Sequence, residues 1–542
     1  MPDPQSETGT PDKETAAEAS GFGKPVWLAG GALILGLAFE VLFYGRPLGI
    51  SFPIWTWLCL GALIAFGIME GIGPSPLTIG LSALTALLAI LPVFRTEPLT
   101  VFLDVVFVLA GLALIVRDYR HGDLLSYGFL DFGLGLIIPP LEAWLRPWRV
   151  LSEARSRLFR ERGSQSTLAS VGRGLLLAFP ILVVFLVLLS SADLVFGDYV
   201  SKALSWLDLS RFFDYLGRLT VILFVGLFCL GAFVAALHLG EKRNLIGAET
   251  PMLAPFLGFT EATVVLAAVD LLFALFVIVQ FRYLFGGQAN ISAAGYTYSD
   301  YARRGFAELV FLALLTLGMI LALAAWTRRS TTRQTSTFNV LSGLLVLLTG
   351  VILASAFTRL LLYEEAYGFS RLRTYTHVAI IWMGVLFLAF LGLLLAGRLR
   401  AFAVACAAGA IGFCLTLNLL NVDAFIVRQN FANPSRAGEL DAAYLATLSA
   451  DAVPALVARL DQIPTDSNDD LLPSLACDLH MLRDRESTTA WPSYRWAYAS
   501  ALDRLETIAP SLAGYDVQHG HGSRVWTVTL DEGNYYCTSY GF

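Results

Sequence analysis

Charge is what this sequence has least of. Only 15% of its 542 residues are charged while 56% are hydrophobic, and mean hydropathy is +0.65. Soluble domains carry about 25% charged residues, so a water-solvated globule is excluded and a chain built for a lipid bilayer is expected. The net charge of −6 leaves no basic stripe, which excludes nucleic acid as a partner. Six cysteines are too few for a disulfide scaffold. Cys59, Cys229, Cys406 and Cys414 fall inside apolar runs, where a thiol packs as a small apolar residue. Cys477 and Cys537 lie in the polar C-terminal region, either as free thiols or as the one pair a disulfide there could join. Motifs of chemistry are missing as well: there is no Walker loop, no H-E-x-x-H, no G-x-S-x-G and no GxGxxG between strand and helix. No cofactor is expected. Residues 1–24 are polar and acidic, unlike a secretory signal, and read as a disordered cytoplasmic tail.

What is present is a series of apolar runs near the roughly 20 residues a spanning helix needs. They fall near 26–44, 51–69, 76–94, 98–116, 171–190, 217–238, 258–280, 305–326, 338–358, 376–396 and 401–421, eleven in all. A further run, Leu124 to Trp144, is interrupted by Asp131 and Pro139-Pro140, and leads into RPWRVLSEARSRLFRERG. There Arg146, Arg149, Arg155, Arg157, Arg160 and Arg162 alternate with Trp148, Leu151, Leu158 and Phe159. A basic amphipathic stretch of this kind lies on anionic lipid. Residues 124–163 are therefore read as cytoplasmic and interfacial, with a twelfth span as the alternative.

The expected fold is an all-α polytopic membrane protein. Its parts are a tail (1–24), a four-helix membrane part (25–116), a basic amphipathic region (117–170), a seven-helix core (171–422) and a C-terminal domain (423–542). Lys242 and Arg243, then Arg328, Arg329 and Arg333, then Arg398 and Arg400 mark alternate loops as cytoplasmic. Loops 191–216, 282–304 and 359–375 then face outward, together with everything after Asn421. In the C-terminal part, Ser449 stands as an N-cap before ADAVPALVARL. The ending SRVWTVTLDEGNYYCTSYGF alternates like a β-hairpin turning at DEGN. A mostly helical extracytoplasmic domain with a terminal hairpin is expected.

Six stretches resemble a family of bacterial multi-pass membrane proteins known only as a domain of unknown function. They are SADLVF (191–196), FRYLFGG (281–287), YTYSDYARRGFAEL (296–309), TRLLLYEEAYGFSRLR (358–373), NVDAFIVRQN (421–430) and LDAAYLATLSADAVPAL (440–456). The similarity covers roughly 170–460 and implies an architecture in the bacterial inner membrane, not an activity.

By the topology, the motifs from 281 onward fall at one level, the outer surface. There they form a candidate cluster of Arg282, Tyr301, Arg304, Glu308, Arg359, Tyr363, Glu364, Tyr367, Arg371, Asn421, Asp423 and Arg428. Two readings apply: interfacial anchors and ion pairs that seat the outer domain, or a binding or catalytic pocket there, for a protein partner or lipid-linked ligand. Arg359 sits deep enough to want a carboxylate, and Glu308 is expected at similar depth. Asp270, midway in ATVVLAAVDLLFALFVIVQ, is the candidate intramembrane proton or ion relay. Asp104 and Glu40 are nearer their helix ends and weaker. No metal is expected; Cys477, His480, His519 and His521 are a minor alternative set with zinc-like spacings. The first outer loop, YGRPLGIS, lacks the acidic residue typical of lipid-linked-sugar transferases, and no inverted repeat marks a transporter. A non-enzymatic role in sensing, scaffolding or envelope maintenance is expected, with a transporter using Asp270 and an envelope transferase as alternatives.

Overall fold

Residues 25–148, 209–238, 255–283, 306–432, 440–462, 468–519, 526–530 and 533–537, with scattered positions between 151 and 199, are described in the computed structural model of the chain. Its longer helices are α1 (Pro25–Phe43), α2 (Ser51–Met69), α3 (Pro76–Leu88), α4 (Pro98–Asp118), α5 (Phe129–Leu145), α6 (Leu209–His238), α7 (Phe259–Tyr283), α8 (Phe306–Trp326), α9 (Thr332–Tyr367), α10 (Arg371–Leu395), α11 (Phe402–Leu420), α12 (Val422–Ala432), α13 (Asn468–Thr488) and α14 (Trp496–Thr507). Among the described residues, ten segments are long and apolar enough to cross a membrane, and each falls on one of the eleven expected runs. The eleventh, 171–190, lies outside the described residues apart from isolated positions.

These helices form because their sequences are apolar around the whole circumference, as α1 shows with PVWLAGGALILGLAFEVLF. Their outward faces stay greasy: Leu271, Leu272, Leu275 and Ile278 of α7 are all exposed. Water would not tolerate that surface, whereas lipid solvates it. The protein is a multi-pass membrane protein.

The helices pack in two groups. In one, α1, α2, α4 and α6 share a core through Leu28, Leu35, Leu63, Ile115 and Phe233. Gly36 lets α1 and α6 touch backbone to backbone, since a Cβ there would stand 2.2 Å from the Ile222 carbonyl oxygen. In the other, α7 to α10 pack through Leu266, Leu345, Ile352 and Phe387. Helix α11 packs on both α4 and α10 and so joins the groups.

Helix α5 forms the first part of the segment read as interfacial, and it is packed against the bundle. It packs along α4 and α6, with Ala143 buried where a Cβ on Gly231 would collide with its backbone. With 17 residues it is not among the candidate spans. Arg400 anchors its first turn by donating to Asp131 at 2.8 Å and to the Ser126 carbonyl at 2.7 Å. Arg146 pairs with Glu142 at 3.1 Å, but nearly all of the basic stretch beyond Trp148 lies outside the described residues.

The C-terminal domain is helical, and its core is continuous with the bundle: Leu445, Leu456, Leu475 and Leu505 belong to one cluster with Val422, Ile426 and Leu417. It ends in three antiparallel strands rather than the expected two: β1 (Asp516–His519), β2 (Trp526–Leu530) and β3 (Gly533–Tyr536), in the order β1-β2-β3. A disulfide joins Cys477 on α13 to Cys537 after β3, and Val528 packs beside it. Ser449 is not a side-chain cap. The helix after it runs only Val453–Val457, and the Ser449 N–H is used elsewhere.

Candidate functional site

The stretch TRLLLYEEAYGFSRLR is mostly helix, not loop. Helix α9 is 36 residues, about 54 Å, against a hydrocarbon core of about 30 Å, so its last turns stand beyond the apolar layer. Gly368, at φ +79°, ends it as only glycine does readily. Only Gly368, Phe369 and Ser370 separate α9 from α10. Arg371 therefore begins α10 at the rim of the bundle.

Asn421 makes the facing half. Its left-handed backbone, φ 51°, stops α11 and lets α12 start at once, which puts Asp423 in the first turn of α12. Asp423 is fully buried. Arg371 grips it with both arms, Nε to Oδ1 at 2.8 Å and Nη2 to Oδ2 at 2.6 Å. The same carboxylate accepts the Ser449 N–H at 2.8 Å, and the Arg371 N–H donates to the Tyr444 hydroxyl at 2.8 Å. Asn430 closes the loop beside it, accepting from Phe369 N–H at 2.7 Å and donating to its carbonyl at 3.1 Å. One bidentate ion pair thus ties the start of α10, the start of α12 and the C-terminal domain together. Bidentate charge-assisted bonds of this kind are the strong ones.

A second layer joins the domain to α4. Glu97 caps α4, accepting from Leu99 N–H at 3.0 Å and Thr100 N–H at 2.7 Å, and it also accepts from the Tyr375 hydroxyl of α10. Asp451 of the domain accepts from the Thr96 and Glu97 N–H groups at 2.8 and 3.0 Å, and its own N–H returns to the Thr96 hydroxyl at 3.2 Å. Burial pushes the Asp451 carboxyl up to about 6, against the pull of those donors and of the Arg95 charge. Arg95 itself donates to the Asn418 carbonyl at 2.9 Å, and Asn418 donates to Asp104 at 2.7 Å. Residues from four distant stretches of sequence meet here.

Around this seat the other motif residues are spread out. Arg359 is buried and donates to Gln280 Oε1 at 3.0 Å, an acceptor it shares with the Ser355 hydroxyl at 2.8 Å. The partner expected for Arg359 was Glu308, but Glu308 is exposed and the described contact is to Gln280. Glu364 is buried and bonds His377 Nδ1 at 3.0 Å, fastening α9 to α10. Tyr363 and Tyr367 have ring centroids 4.9 Å apart, and the Arg373 guanidinium lies 4.2 Å over the Tyr363 ring. Arg428 is exposed and donates to the Leu420 carbonyl at 3.2 Å. Arg282 lies in the last turn of α7, while Tyr301 and Arg304 lie outside the described residues.

Asp270 belongs to a different feature. On α7, Ala262, Leu266, Asp270, Phe273, Val277 and Gln280 are all buried at helical spacing, forming one seam. The facing seam of α9 carries Phe338, Ser342, Leu345, Thr349, Ile352 and Arg359, also buried. Gln280 and Ser355 set the register between them. Among the described residues, neither carboxylate oxygen of Asp270 has a hydrogen-bond partner, and the Ser342 hydroxyl has none.

Glu40, the weaker acidic candidate, pairs with Arg218 at 2.8 Å. In the minor metal set, the disulfide removes Cys477 as a ligand. His519 packs on the Trp526 ring at 4.7 Å, and His521 lies outside the described residues. No metal-holding cluster of His, Cys, Asp and Glu occurs among the described residues.

The chain matches the family described as "Domain of unknown function (DUF4153)" over residues 82–458. It belongs to this family. Neither the curated proteins nor the solved structures give a match. The DUF4153 region begins well before residue 170, where the motifs legible in the sequence start, and so takes in Arg95, Glu97 and Asp104 as well as Asp423 and Asp451. Reading the sequence missed Glu97, Tyr375, Gln280 and Asp451. Glu97 carried one signal, an acidic residue directly before Pro98 and an apolar run, which is a helix-capping pattern. The others looked like ordinary residues of a helix end or an amphipathic stretch.

Proposed function

We propose that this DUF4153 protein works without catalysis in the bacterial inner membrane, as a sensing or scaffolding protein of the envelope whose C-terminal domain is held fast on the membrane bundle. The single observation that carries this reading is the Arg371–Asp423 pair with its second partners Ser449 and Tyr444, which ties domain and bundle into one network around a buried carboxylate.

Orientation rests on charge and redox chemistry. Arg328, Arg329, Arg398 and Arg400 gather at the end of the bundle away from the domain, as cytoplasmic loops do. The Cys477–Cys537 disulfide suits an oxidising compartment and so an extracytoplasmic domain. Helix α4 ends at Asp118 away from the domain, whereas Asp214 of α6 bonds Tyr44 at the domain end. An odd number of crossings between them, as eleven spans require, is favoured over twelve.

The test is reconstitution beside a cellular assay. Purified protein in proteoliposomes is expected to pass no solute and no proton current, while cells carrying Asp423→Ala show the same envelope defect as cells lacking the protein. A second reading, a transporter, is favoured by Asp270, which has no partner among the described residues. Solute-dependent current that disappears in Asp270→Asn would replace the first reading with that one.

A further inference from the structure

The C-terminal domain carries a pocket outside the DUF4153 region that neither the docking network nor the membrane seams use. It has a volume of about 130 Å³ and lies between α13 and the first turn of α14. Two cations line it: Arg485 lies 4.3 Å and Arg495 5.7 Å from the ring centre of the buried Tyr498. Two guanidiniums against one ring concentrate positive charge in the pocket, which suits an anion. Burial first, and then the Arg495 charge, lower the Arg485 guanidinium while Tyr498 opposes them. Ser493 also lines the pocket, is 2% exposed, and has a hydroxyl with no hydrogen-bond partner among the described residues. A buried hydroxyl left unsatisfied is costly, and here it stands beside two cations. Glu486, at the exposed rim, is the opposing charge.

The pocket's position says which anion it meets. Its wall, Ala490 to Trp496, is seated on the loop between α1 and α2. Ile50 N–H donates to the Tyr494 carbonyl at 2.9 Å, and Arg495 Nε donates to the Leu48 carbonyl at 2.8 Å. A Cβ on Gly49 would lie 2.4 Å from the Ser493 carbonyl carbon, so the two backbones are in contact. Ser51 already begins a membrane helix, which puts the pocket at headgroup height. Around it Trp491, Tyr494 and Trp496 are 64%, 48% and 49% exposed. Exposed aromatic rings at this level are the belt that settles at a membrane surface.

We propose that this pocket binds the phosphate of an anionic membrane lipid, held by Arg485, Arg495 and the Ser493 hydroxyl, with Trp491 and Tyr494 resting among the neighbouring headgroups. The lipid would then pin the domain to the bilayer at a point separate from the Arg371–Asp423 seat.

The experiment uses the full chain, delipidated in detergent, and measures binding of short-chain phosphatidylglycerol, short-chain phosphatidylcholine and inorganic phosphate. Phosphatidylglycerol is expected to bind, phosphatidylcholine to bind weakly, and phosphate weakest of all. In Arg485→Gln/Arg495→Gln the phosphatidylglycerol affinity should fall by about tenfold or more. Because that variant could also disturb the domain, Glu486→Gln is measured beside it. It keeps both arginines and should tighten binding about twofold by removing the repelling charge. Equal binding of the two lipids, or unchanged affinity in both variants, overturns the proposal. Phosphate binding as tightly as the lipid overturns the lipid assignment in favour of a soluble phosphate ligand.

Discussion

Arg371 and Asp423, 52 positions apart in sequence, form a two-armed ion pair at 2.8 and 2.6 Å in which the carboxylate is wholly buried. A desolvated charge that loses its partner is penalised far more than the pair is worth intact. Arg371→Ala and Asp423→Ala should therefore each lower stability by about 3 kcal/mol. The double variant should lose much less than the sum, with a coupling of about 1.5 kcal/mol or more. Thermal unfolding of the four proteins in detergent measures this. Additive losses would mean that the pair does not act as a unit.

Asp451 predicts a pH dependence. Its carboxyl titrates at about 6 in the folded chain against an ordinary 3.8. Between those values the folded state holds the proton more tightly than the unfolded state does, so stability from this group declines as pH rises from 4 to 6. It is flat above about 7. The whole decline amounts to about 3 kcal/mol at most. Asp451→Asn cannot titrate and still accepts the Thr96 and Glu97 N–H groups through its amide oxygen. Relative to wild type, the Asn variant should gain stability as the pH is raised from 4 to 7. A constant difference across that range would place the titration elsewhere.

These two cases show what was legible in the sequence. Ten of the eleven expected spans were, because about 20 apolar residues in a row have few other uses. The pairing was not. Asp423 was placed at the right level but without its partner: the left-handed turn at Asn421 aims the start of α12 inward and brings the carboxylate to Arg371. TRLLLYEEAY read as a loop because its charges break the hydrophobic run, although every residue in it suits a helix that has simply left the bilayer. The first strand, Asp516–His519, has only four residues and one partly buried side chain, too little for an alternation to register.

The disulfide gives a third prediction. Cys477 and Cys537 are 60 positions apart, and a closed loop of that size restricts the unfolded chain by about 4 kcal/mol in the chain-entropy account. Cys537→Ser should release the sheet from α13 and shift unfolding of the C-terminal domain to lower temperature. The membrane helices should be little affected. Protein prepared without reductant should also migrate faster in a denaturing gel than reduced protein; identical migration would mean the bond is not made in the cell.

Orientation can be read with two engineered thiols in a chain whose Cys59, Cys229, Cys406 and Cys414 are replaced by alanine. Thr331 precedes α9 and Ala366 lies in its last turn, at opposite ends of a 36-residue helix. An impermeant thiol reagent added to intact cells is expected to label Ala366→Cys and to spare Thr331→Cys. The reverse pattern would turn the whole bundle over, the C-terminal domain with it.

Asp270 poses the sharpest choice, because its structural and functional roles predict stability changes of opposite sign. A carboxylate that held two helices together would have a donor within reach, and its loss would cost about 0.6–2 kcal/mol. Asp270 has no such donor among the described residues: both oxygens are buried and unpartnered, in a seam otherwise filled by Leu266, Phe273 and Val277. A polar group in that state is a liability to the fold. Asp270→Leu, which completes the apolar seam, should therefore raise the unfolding temperature rather than lower it. A residue that weakens its own protein is the kind retained for what it does, since sites of function are where stability is given up. Asp270→Asn keeps the size and removes the proton, so it should leave stability near wild type while abolishing any proton- or ion-coupled activity. If Asp270→Leu destabilises instead, the carboxyl has a structural partner and the relay loses its support. If both variants are as active as wild type in cells, Asp270 is a tolerated flaw in the α7–α9 seam and carries no ion.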